Sequence, residues 1–352
     1  MSDPKQLLLN ELCQRGIVDE PTANRLMQHT HAPWYVALLS GLAAWLAALL
    51  LIGSTLYTII DESALAAAIT GSVLLGMAVW LLRKPGVFVS QLGLALSMVG
   101  QGVLLVAVSH WDIAGRHSEW PVAMAAALVA GIMWLVPAVM LHRQACALIA
   151  IGAGAVFIGF SSWLTLYGLA LAVVAAWLWL RRGDWAGSRR ADLWRSLAGA
   201  ATLAALAWPI IGNQRWGSSV AELMGDAAAP LLKWLYPAGA GVLLIVTGFI
   251  LARAQQPTIR LGVALATLLL IALGVQAPGL LIATALWLAV FHACERFWSV
   301  LVGIGATLYL ADLYYSLHIT LLEKSVLLVA SGALLLVLRW FLLRRWRDAR
   351  AS

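Results

Sequence analysis

The sequence predicts an all-α, polytopic transmembrane helix bundle with about 12 spans, within a range of 10–12. Hydrophobic residues make up 62% of the 352 residues and charged residues only 11%, and the mean hydropathy is +0.88. Soluble domains carry roughly 25% charged residues. Apolar runs of membrane-crossing length recur along the chain. They are expected to be helical, because the bilayer core offers no water to an open backbone.

Residues 1–33 precede the first apolar run and are predicted to form a cytoplasmic two-helix preamble. An Asp-Pro pair at residues 3–4 is typical of a helix start, and Gly16 is typical of the position just after a helix end. Asp19 begins a second short helix. Two short helices cannot bury a core alone, so we expect them to dock on the membrane domain, on lipid or on a partner.

The transmembrane domain is expected over residues 34–343, followed by a basic cytoplasmic tail over 344–352. Six spans over 34–180 and six over 196–343 flank an inner loop, 181–195, which has five arginines and two tryptophans. That composition suits a helix lying on anionic headgroups. The predicted spans are 34–60, 64–82, 87–109, 120–141, 144–160, 162–180, 196–212, 234–252, 258–275, 278–292, 298–318 and 324–343.

The distribution of lysine and arginine predicts the orientation of the bundle. With the N terminus inside and twelve spans, nineteen of the 23 lysines and arginines lie on the cytoplasmic side. The other four are Arg116, Arg215, Lys233 and Lys324. This bias follows the positive-inside rule and places both termini in the cytoplasm. A missed span, for example at the short segment 278–292, would disturb it. The net charge of +7 therefore indicates contact with anionic lipid and not with nucleic acid.

Tryptophan occurs 18 times and is predicted to form interfacial belts. Indole is apolar with one N–H donor, so it favours the boundary between lipid and water. The tryptophans at segment ends or in adjacent loops are Trp34, Trp111, Trp120, Trp163, Trp185, Trp194, Trp216, Trp234, Trp298, Trp340 and Trp346.

Two groups of polar residues lie inside predicted spans, and the first is on the third span. Gly93, Ser97 and Gln101 recur every four residues and therefore share one helix face. Small residues allow a neighbouring helix to approach closely, and glutamine can bond across the contact. The same face could instead line a substrate path.

The second group is near the end of the eleventh span. A helix that begins at Trp298 must extend to about His318 to cross, which places Asp312 in the outer leaflet with Tyr315 at i+3. Tyr314 reaches His318 at i+4. These side chains could bind a ligand or pass protons. They could equally form an aromatic belt around an acid that is hydrogen-bonded to a neighbouring helix.

The turn before that span carries His292, Glu295 and Arg296, so a His–Glu pair or an interfacial charge cluster is possible there. The sequence has no spacing typical of a zinc or iron–sulfur site. It also has no paired carboxylates, phosphate loop or nucleophile–base pair. We therefore expect no catalytic residues, no metal and no cofactor.

Three stretches of the chain resemble a known family. They are YLADLYYSLHITLLEKSVLLVASGALLLVLRWFLLRR, QLGLALSMVGQ and the two-helix preamble. Together they resemble bacterial membrane proteins grouped as domain of unknown function 4401, over nearly the whole chain. The resemblance implies a multi-pass protein of the bacterial inner (cytoplasmic) membrane. It also implies a partner, a second membrane-anchored protein with a GDYxxLxY signature. It implies no catalytic residues.

Two classes of function follow as expectations. The first is a non-enzymatic component of an envelope membrane complex, which fits the scarcity of buried charge and the short loops. The alternative is a transporter or flippase-like carrier of a small or lipidic solute, which rests on analogy of architecture alone. A polar cavity that reaches Gln101 or Asp312 would favour the carrier, and a sealed bundle would favour the component.

The predicted topology can be tested with reporter fusions. Fusions at Ser188 and at the C terminus should report cytoplasm, and a fusion at Ser219 should report the opposite side, because of the bias in lysine and arginine. Alkaline phosphatase and green fluorescent protein give complementary readouts. A cytoplasmic signal at Ser219 would contradict the layout around the seventh and eighth spans.

Overall fold

All regular elements in the described part of the chain are helices. The computed structural model describes residues 11–16, 19, 34–51, 63–110, 120–159, 162–211, 229–275 and 277–316, with six pairs of helical residues between 322 and 340. The helices are α1 (Trp34–Leu51), α2 (Ala64–Leu82), α3 (Val87–His110), α4 (Trp120–Leu135), α5 (Met140–Ile158), α6 (Ser162–Leu180), α7 (Arg182–Trp185), α8 (Ala191–Ile211), α9 (Ala229–Ala252), α10 (Pro257–Gly274), α11 (Pro278–His292) and α12 (Arg296–Ser316). The chain forms two compact units, Met1–Leu104 and Leu105–Ser352.

The predicted all-helical class is confirmed, and eleven of these helices overlap predicted spans. Six of them, α2, α3, α5, α6, α9 and α12, are long and apolar enough to cross a membrane. Four more, α1, α4, α10 and α11, are apolar over shorter lengths. The count of twelve spans and the side on which the termini lie stay predictions. Most of the predicted preamble lies outside the described residues, although Gly16 has the left-handed conformation expected after a helix end, with φ 68°.

Residues 181–195, the predicted inner loop whose composition suits a helix on anionic headgroups, are helical only in part. Only Arg182–Trp185 forms a short helix, α7, and turns lead from there to α8. α8 begins at Ala191 instead of 196, because the turn before it continues into helical bonds and Asp192 lies in its first turn. An acid there interacts favourably with the helix dipole. Residues 191–195 of the predicted inner loop thus form the start of α8.

In the first unit, α2 and α3 approach each other at two glycines. A Cβ atom built on Gly71 would lie 3.1 Å from the Gly100 carbonyl oxygen, and one built on Gly100 would lie 3.1 Å from the Gly71 carbonyl oxygen. Nearer the connecting turn, a Cβ atom on Gly93 would lie 3.2 Å from the Leu81 Cβ. The turn contains Gly86 at φ 128°, a conformation that only glycine adopts readily. Glycine therefore sets the distance between these helices.

The second unit is built around α11. Helices α6, α8, α9, α10 and α12 all contact it, and eight of its 15 residues are buried. It begins with Pro278, which lacks a backbone N–H. Proline suits this position because the N–H groups of a first helical turn have no partner within the helix. At about 1.5 Å per residue it is roughly 22 Å long, shorter than a bilayer core of about 30 Å. The most enclosed helix is thus one of the shortest.

Three contacts give the directions of the helices around α11. Arg195 at the start of α8 pairs with Glu295 at the start of α12, and the Tyr309 hydroxyl donates a hydrogen bond to the Leu206 carbonyl further along both. α8 and α12 are therefore parallel. Gly279 at the start of α11 lies against Tyr309, so α11 runs opposite to α12. The ends of α6 and α11 consequently lie beside the starts of α8 and α12.

Small side chains make up a large part of the described interior, and many large apolar side chains face outward. About half of the buried apolar residues in the described part are alanine. Leu128, Phe249 and Phe291 are among many large side chains that stay exposed. In lipid, exposing leucine costs nothing relative to burying it, so helices associate through close packing and interhelical hydrogen bonds. The pattern is that expected of a membrane protein.

Two of the tryptophans predicted for interfacial belts are buried instead. Trp185 is 9% exposed and Trp298 is 2% exposed, and both pack against the fully buried Trp179, with ring centroids 6.4 and 6.0 Å apart. The indole of Trp179 donates to Thr202 Oγ1 at 2.8 Å, and that of Trp185 donates to the Leu178 carbonyl at 2.9 Å. A satisfied N–H allows tryptophan to leave the interface. The tryptophans that remain exposed include Trp120, Trp163, Trp194, Trp234 and Trp340.

The glycine contact between α2 and α3 predicts a difference between two positions on the same helix. Gly100→Ala should destabilise the protein by about 1–3 kcal/mol, the usual cost of overpacking, because its Cβ atom meets Leu75 and Gly71. Gly102→Ala adds the same methyl group where nothing lies within 4 Å, so it should be neutral or slightly stabilising. Thermal unfolding in one detergent measures both. Equal effects of the two variants would contradict the close contact.

Candidate functional site

The described arginines between Trp120 and Ser316 gather at one end of the second unit. That end is where α6 and α11 finish and where α8 and α12 begin, and short turns bring the starts of α5 and α10 to the same side. Lys233, near the start of α9, is the single described lysine or arginine between Trp120 and Ser316 at the other end. The nine at the basic end are Arg143, Arg181, Arg182, Arg189, Arg190, Arg195, Arg253, Arg260 and Arg296.

A buried glutamate holds two of these arginines. The side chain of Glu295 is 6% exposed, and its Oε1 lies 2.8 Å from Arg182 Nη2. Its other oxygen, Oε2, accepts a hydrogen bond from Arg195 Nη2 at 2.8 Å. The bond to Oε2 is charge-assisted and therefore stronger than a neutral hydrogen bond, whereas Oε1 is held by the ion pair with Arg182 alone. The two contacts tie the loop after α6 and the start of α8 to the turn before α12.

The backbone of the α11–α12 turn places this glutamate. Cys294 has φ 55°, the left-handed conformation, and the Glu295 N–H donates to the Val290 carbonyl at 3.3 Å. This 6→1 bond and the bond from the Cys294 N–H to the Phe291 carbonyl close α11 as a Schellman motif. A residue other than glycine costs about 1–2 kcal/mol in that conformation. Arg182 also donates to the Ala293 carbonyl, so the same arginine braces the turn.

A second set of polar contacts joins α4, α5 and α8 at the same end. Arg143 Nε donates to the Val136 carbonyl at 3.2 Å, and its Nη1 lies 3.8 Å from Asp192. The Trp134 indole donates to Ser196 Oγ at 2.9 Å. These contacts lie between the turn before α5 and the start of α8. They anchor the α4–α5 hairpin to the central helices.

Two cavities lie in the described part of this unit. One, of about 310 Å³, lies between the end of α6, α7 and the end of α11, and includes Arg182, Ala186 and His292 in its lining. The other, of about 280 Å³, is almost entirely apolar and includes Trp134 and Tyr167. Asp312 lines neither of them.

The charged turn was visible in the sequence, but its partners were not. The spacing of His292 and Glu295 permits an ion pair between them, whereas the structure joins Glu295 to Arg182 and Arg195. Those arginines are about 100 residues away in the chain. The only available sign was their position in the predicted inner loop, on the same side of the bundle as Glu295.

The residues predicted around Asp312 are partly brought together. Asp312 is half-buried on α12, and the Tyr314 and Tyr315 rings meet edge to face at a centroid distance of 5.4 Å. Tyr315 is exposed, and His318 lies outside the described residues. Tyr309, one turn before Asp312, is buried and bonded to the neighbouring α8. Tyr309 is not among the site residues predicted from the sequence.

The predicted face of α3 is buried. Ser97 and Gln101 are 0% and 3% exposed, and the Gln101 amide donates to Ser97 Oγ at 3.2 Å. Gly93 lies against Leu81 and Leu82 of α2. The three residues are therefore on an enclosed side of their helix.

Within the described residues, no group of three histidine, cysteine or acidic side chains could hold a metal ion. His142 and Cys146 form a buried pair, with 3.7 Å between Nε2 and Sγ. A pair alone falls short of the three or four ligands of a zinc site.

The Glu295 contacts predict a large effect of a small substitution. Glu295→Gln should lower the free energy of unfolding by about 2 kcal/mol. This is below the roughly 3–5 kcal/mol of a fully buried pair, because Arg182 and Arg195 are 34% and 40% exposed. Asp184→Asn is the matched control, since its exposed pair with Arg181 at 4.0 Å should contribute below about 1 kcal/mol. Thermal unfolding compares them, and equal shifts would contradict a buried anchor.

Comparison with known proteins adds one result to this geometry. No curated protein and no solved structure matches the chain. A family model described as domain of unknown function (DUF4401) matches residues 33–345, which include every helix from α1 to α12. The chain belongs to this family of domain of unknown function 4401 proteins.

Proposed function

We propose that this chain is a non-enzymatic component of an envelope membrane complex in the bacterial inner membrane. The observation that carries the proposal is that Asp312 lines neither of the two cavities described in the second unit. Asp312 is a polar position that a solute path through the predicted spans would use. A carrier needs a polar binding site near the middle of the bilayer.

The internal hydrogen bonds support a structural role. The Trp179 indole bonds Thr202, the Tyr167 hydroxyl bonds the Ile151 carbonyl at 2.8 Å, and Tyr309 bonds the Leu206 carbonyl. Each of these bonds joins two helices of the second unit. Side chains used in this way hold helices together and are not available to a substrate.

The basic end supports a cytoplasmic location for that end. Nine arginines lie there, against the single Lys233 at the other end of the described bundle. Lysine and arginine accumulate in short cytoplasmic loops. With an even number of spans, both termini are cytoplasmic.

The partner that we propose is a membrane-anchored protein with a GDYxxLxY signature. This partner follows from the family resemblance. The many large apolar side chains exposed on the helices leave ample surface for another transmembrane helix as well as for lipid.

Co-purification from native membranes tests the complex. The full chain and the GDYxxLxY protein would be tagged separately at their chromosomal positions, extracted in mild detergent and passed through affinity and size-exclusion columns. We expect one peak that contains both proteins at a fixed ratio. A multi-span protein with the same tag and similar abundance is the control. Recovery of the GDYxxLxY protein with the control bait at the same yield would contradict the proposal.

Substitution of Asp312 separates the component from the carrier. Asp312→Asn keeps the size and hydrogen-bonding capacity of the side chain, so it should leave abundance and complementation of a deletion strain nearly unchanged. Asp312→Leu leaves neighbouring polar groups without a partner and should reduce abundance severalfold. Immunoblotting and growth complementation measure the two effects. Loss of function by Asp312→Asn at normal abundance would favour the transporter or flippase-like carrier.

A further inference from the structure

We propose that the cavity between the end of α6, α7 and the end of α11 binds the phosphate headgroup of an anionic phospholipid. Its volume of about 310 Å³ lies at the lower end of the range for small-ligand sites. Arg182 and His292 supply its ionisable groups, and Trp179, Leu180 and Ala186 supply apolar wall. A site with a cation at one edge and apolar walls matches an amphipathic ligand. This inference goes beyond the proposed function, because it does not depend on a protein partner.

The positive charge around the cavity favours an anionic ligand. Arg182 and Arg195 share one carboxylate, Glu295, so this group of three side chains keeps one positive charge. The other described acids at this end are already paired elsewhere, Asp184 with Arg181 and Asp192 with Arg143. The excess charge is therefore not neutralised by described residues. A guanidinium group binds phosphate, as it binds carboxylate, through two parallel N–H···O bonds.

Arg182 is also held in place, and some of its N–H donors remain available to a ligand. Its Nη1 bonds the Ala293 carbonyl and its Nη2 pairs with Glu295. A guanidinium group has five N–H donors, so three remain for a ligand. Because the side chain is fixed before the ligand arrives, little conformational entropy is lost on binding.

The surfaces next to the cavity favour a lipid over free phosphate. On α6, Val173 and Trp177 are exposed and lie on the same helix face as Leu180, which lines the cavity. On α11, Leu288 is exposed and lies one turn before His292, which also lines it. α6 and α11 are in contact. Both apolar faces run from the cavity along neighbouring helices, where acyl chains would lie.

Native mass spectrometry of the full-length protein in detergent tests the proposal. The probes are dioleoyl phosphatidylglycerol, dioleoyl phosphatidylcholine and inorganic phosphate. The two lipids have identical acyl chains, so they differ only in the headgroup. We expect one phosphatidylglycerol to bind at least tenfold more tightly than phosphatidylcholine. We also expect inorganic phosphate at millimolar concentration to displace little of it, because phosphate lacks the chains.

Two bulky substitutions in the same turn locate the site. Ala186 lines the cavity and is exposed in a helical backbone conformation, so Ala186→Phe should fill the cavity and weaken phosphatidylglycerol binding about tenfold. Gly187→Phe adds the same ring at an exposed position where a Cβ atom meets nothing within 4 Å, and it should change binding less than twofold. Thermal unfolding without lipid checks that both variants are folded.

Three outcomes would overturn the proposal. The first is equal binding of the two lipids by the unmodified protein, which needs no variant to interpret. The second is full displacement of phosphatidylglycerol by inorganic phosphate, which would assign the cavity to a free anion. The third is an unchanged affinity in a folded Ala186→Phe variant, which would place the lipid elsewhere on the basic end.

Discussion

Close approach of helices through small side chains is the constraint on which the rest of this structure depends. Lipid tails are as apolar as leucine, so burying large apolar side chains gives a membrane helix little reason to leave lipid for another helix. Alanine and glycine instead allow backbones to come near enough for many weak contacts and for hydrogen bonds between helices. The crossing of Gly71 and Gly100, and the burial of Ala283, Ala285 and Ala289 on α11, both follow from this requirement.

The ends of the helices are held by a different interaction. At the basic end, Glu295 joins Arg182 and Arg195, two arginines that the chain separates from it by about 100 residues. The left-handed conformation of Cys294 turns the chain so that this carboxylate points back toward the bundle. Packing of small residues thus determines the spacing of the helices, and charge-assisted bonds determine which loops meet.

The two proposed roles of the protein depend on different parts of the structure. The packed interior supports a component of a complex, because Trp179, Tyr167 and Tyr309 bond neighbouring helices and Asp312 lines neither described cavity of the second unit. The basic end keeps uncompensated positive charge beside a cavity with apolar neighbours, which is where an anionic lipid would bind. A lipid at that position would lie beside the turns that Glu295 connects.

The composition of the sequence by itself determined the helical class and the positions of most helices. In lipid, the backbone of a long apolar run can satisfy its N–H and C=O groups only as an α-helix or as part of a closed barrel. Periodicity also placed Gly93, Ser97 and Gln101 on one face of α3, because four-residue spacing is a local property of a helix. The spacing around Asp312 indicated a polar group in the same way, but it did not single out Tyr309, whose hydrogen-bond partner is on α8.

Only the tertiary structure decided which residues meet across the chain. The burial of Trp185 and Trp298 depends on Trp179, and the pairing of Glu295 depends on the loop after α6. No local pattern encodes these contacts, because in a helix bundle the partner of an end residue is determined by the order in which helices pack. The same holds for the cavity lined by Arg182 and His292, since its walls come from α6, α7 and α11. Hydropathy is a sum over neighbours in sequence, whereas a binding site is a property of neighbours in space.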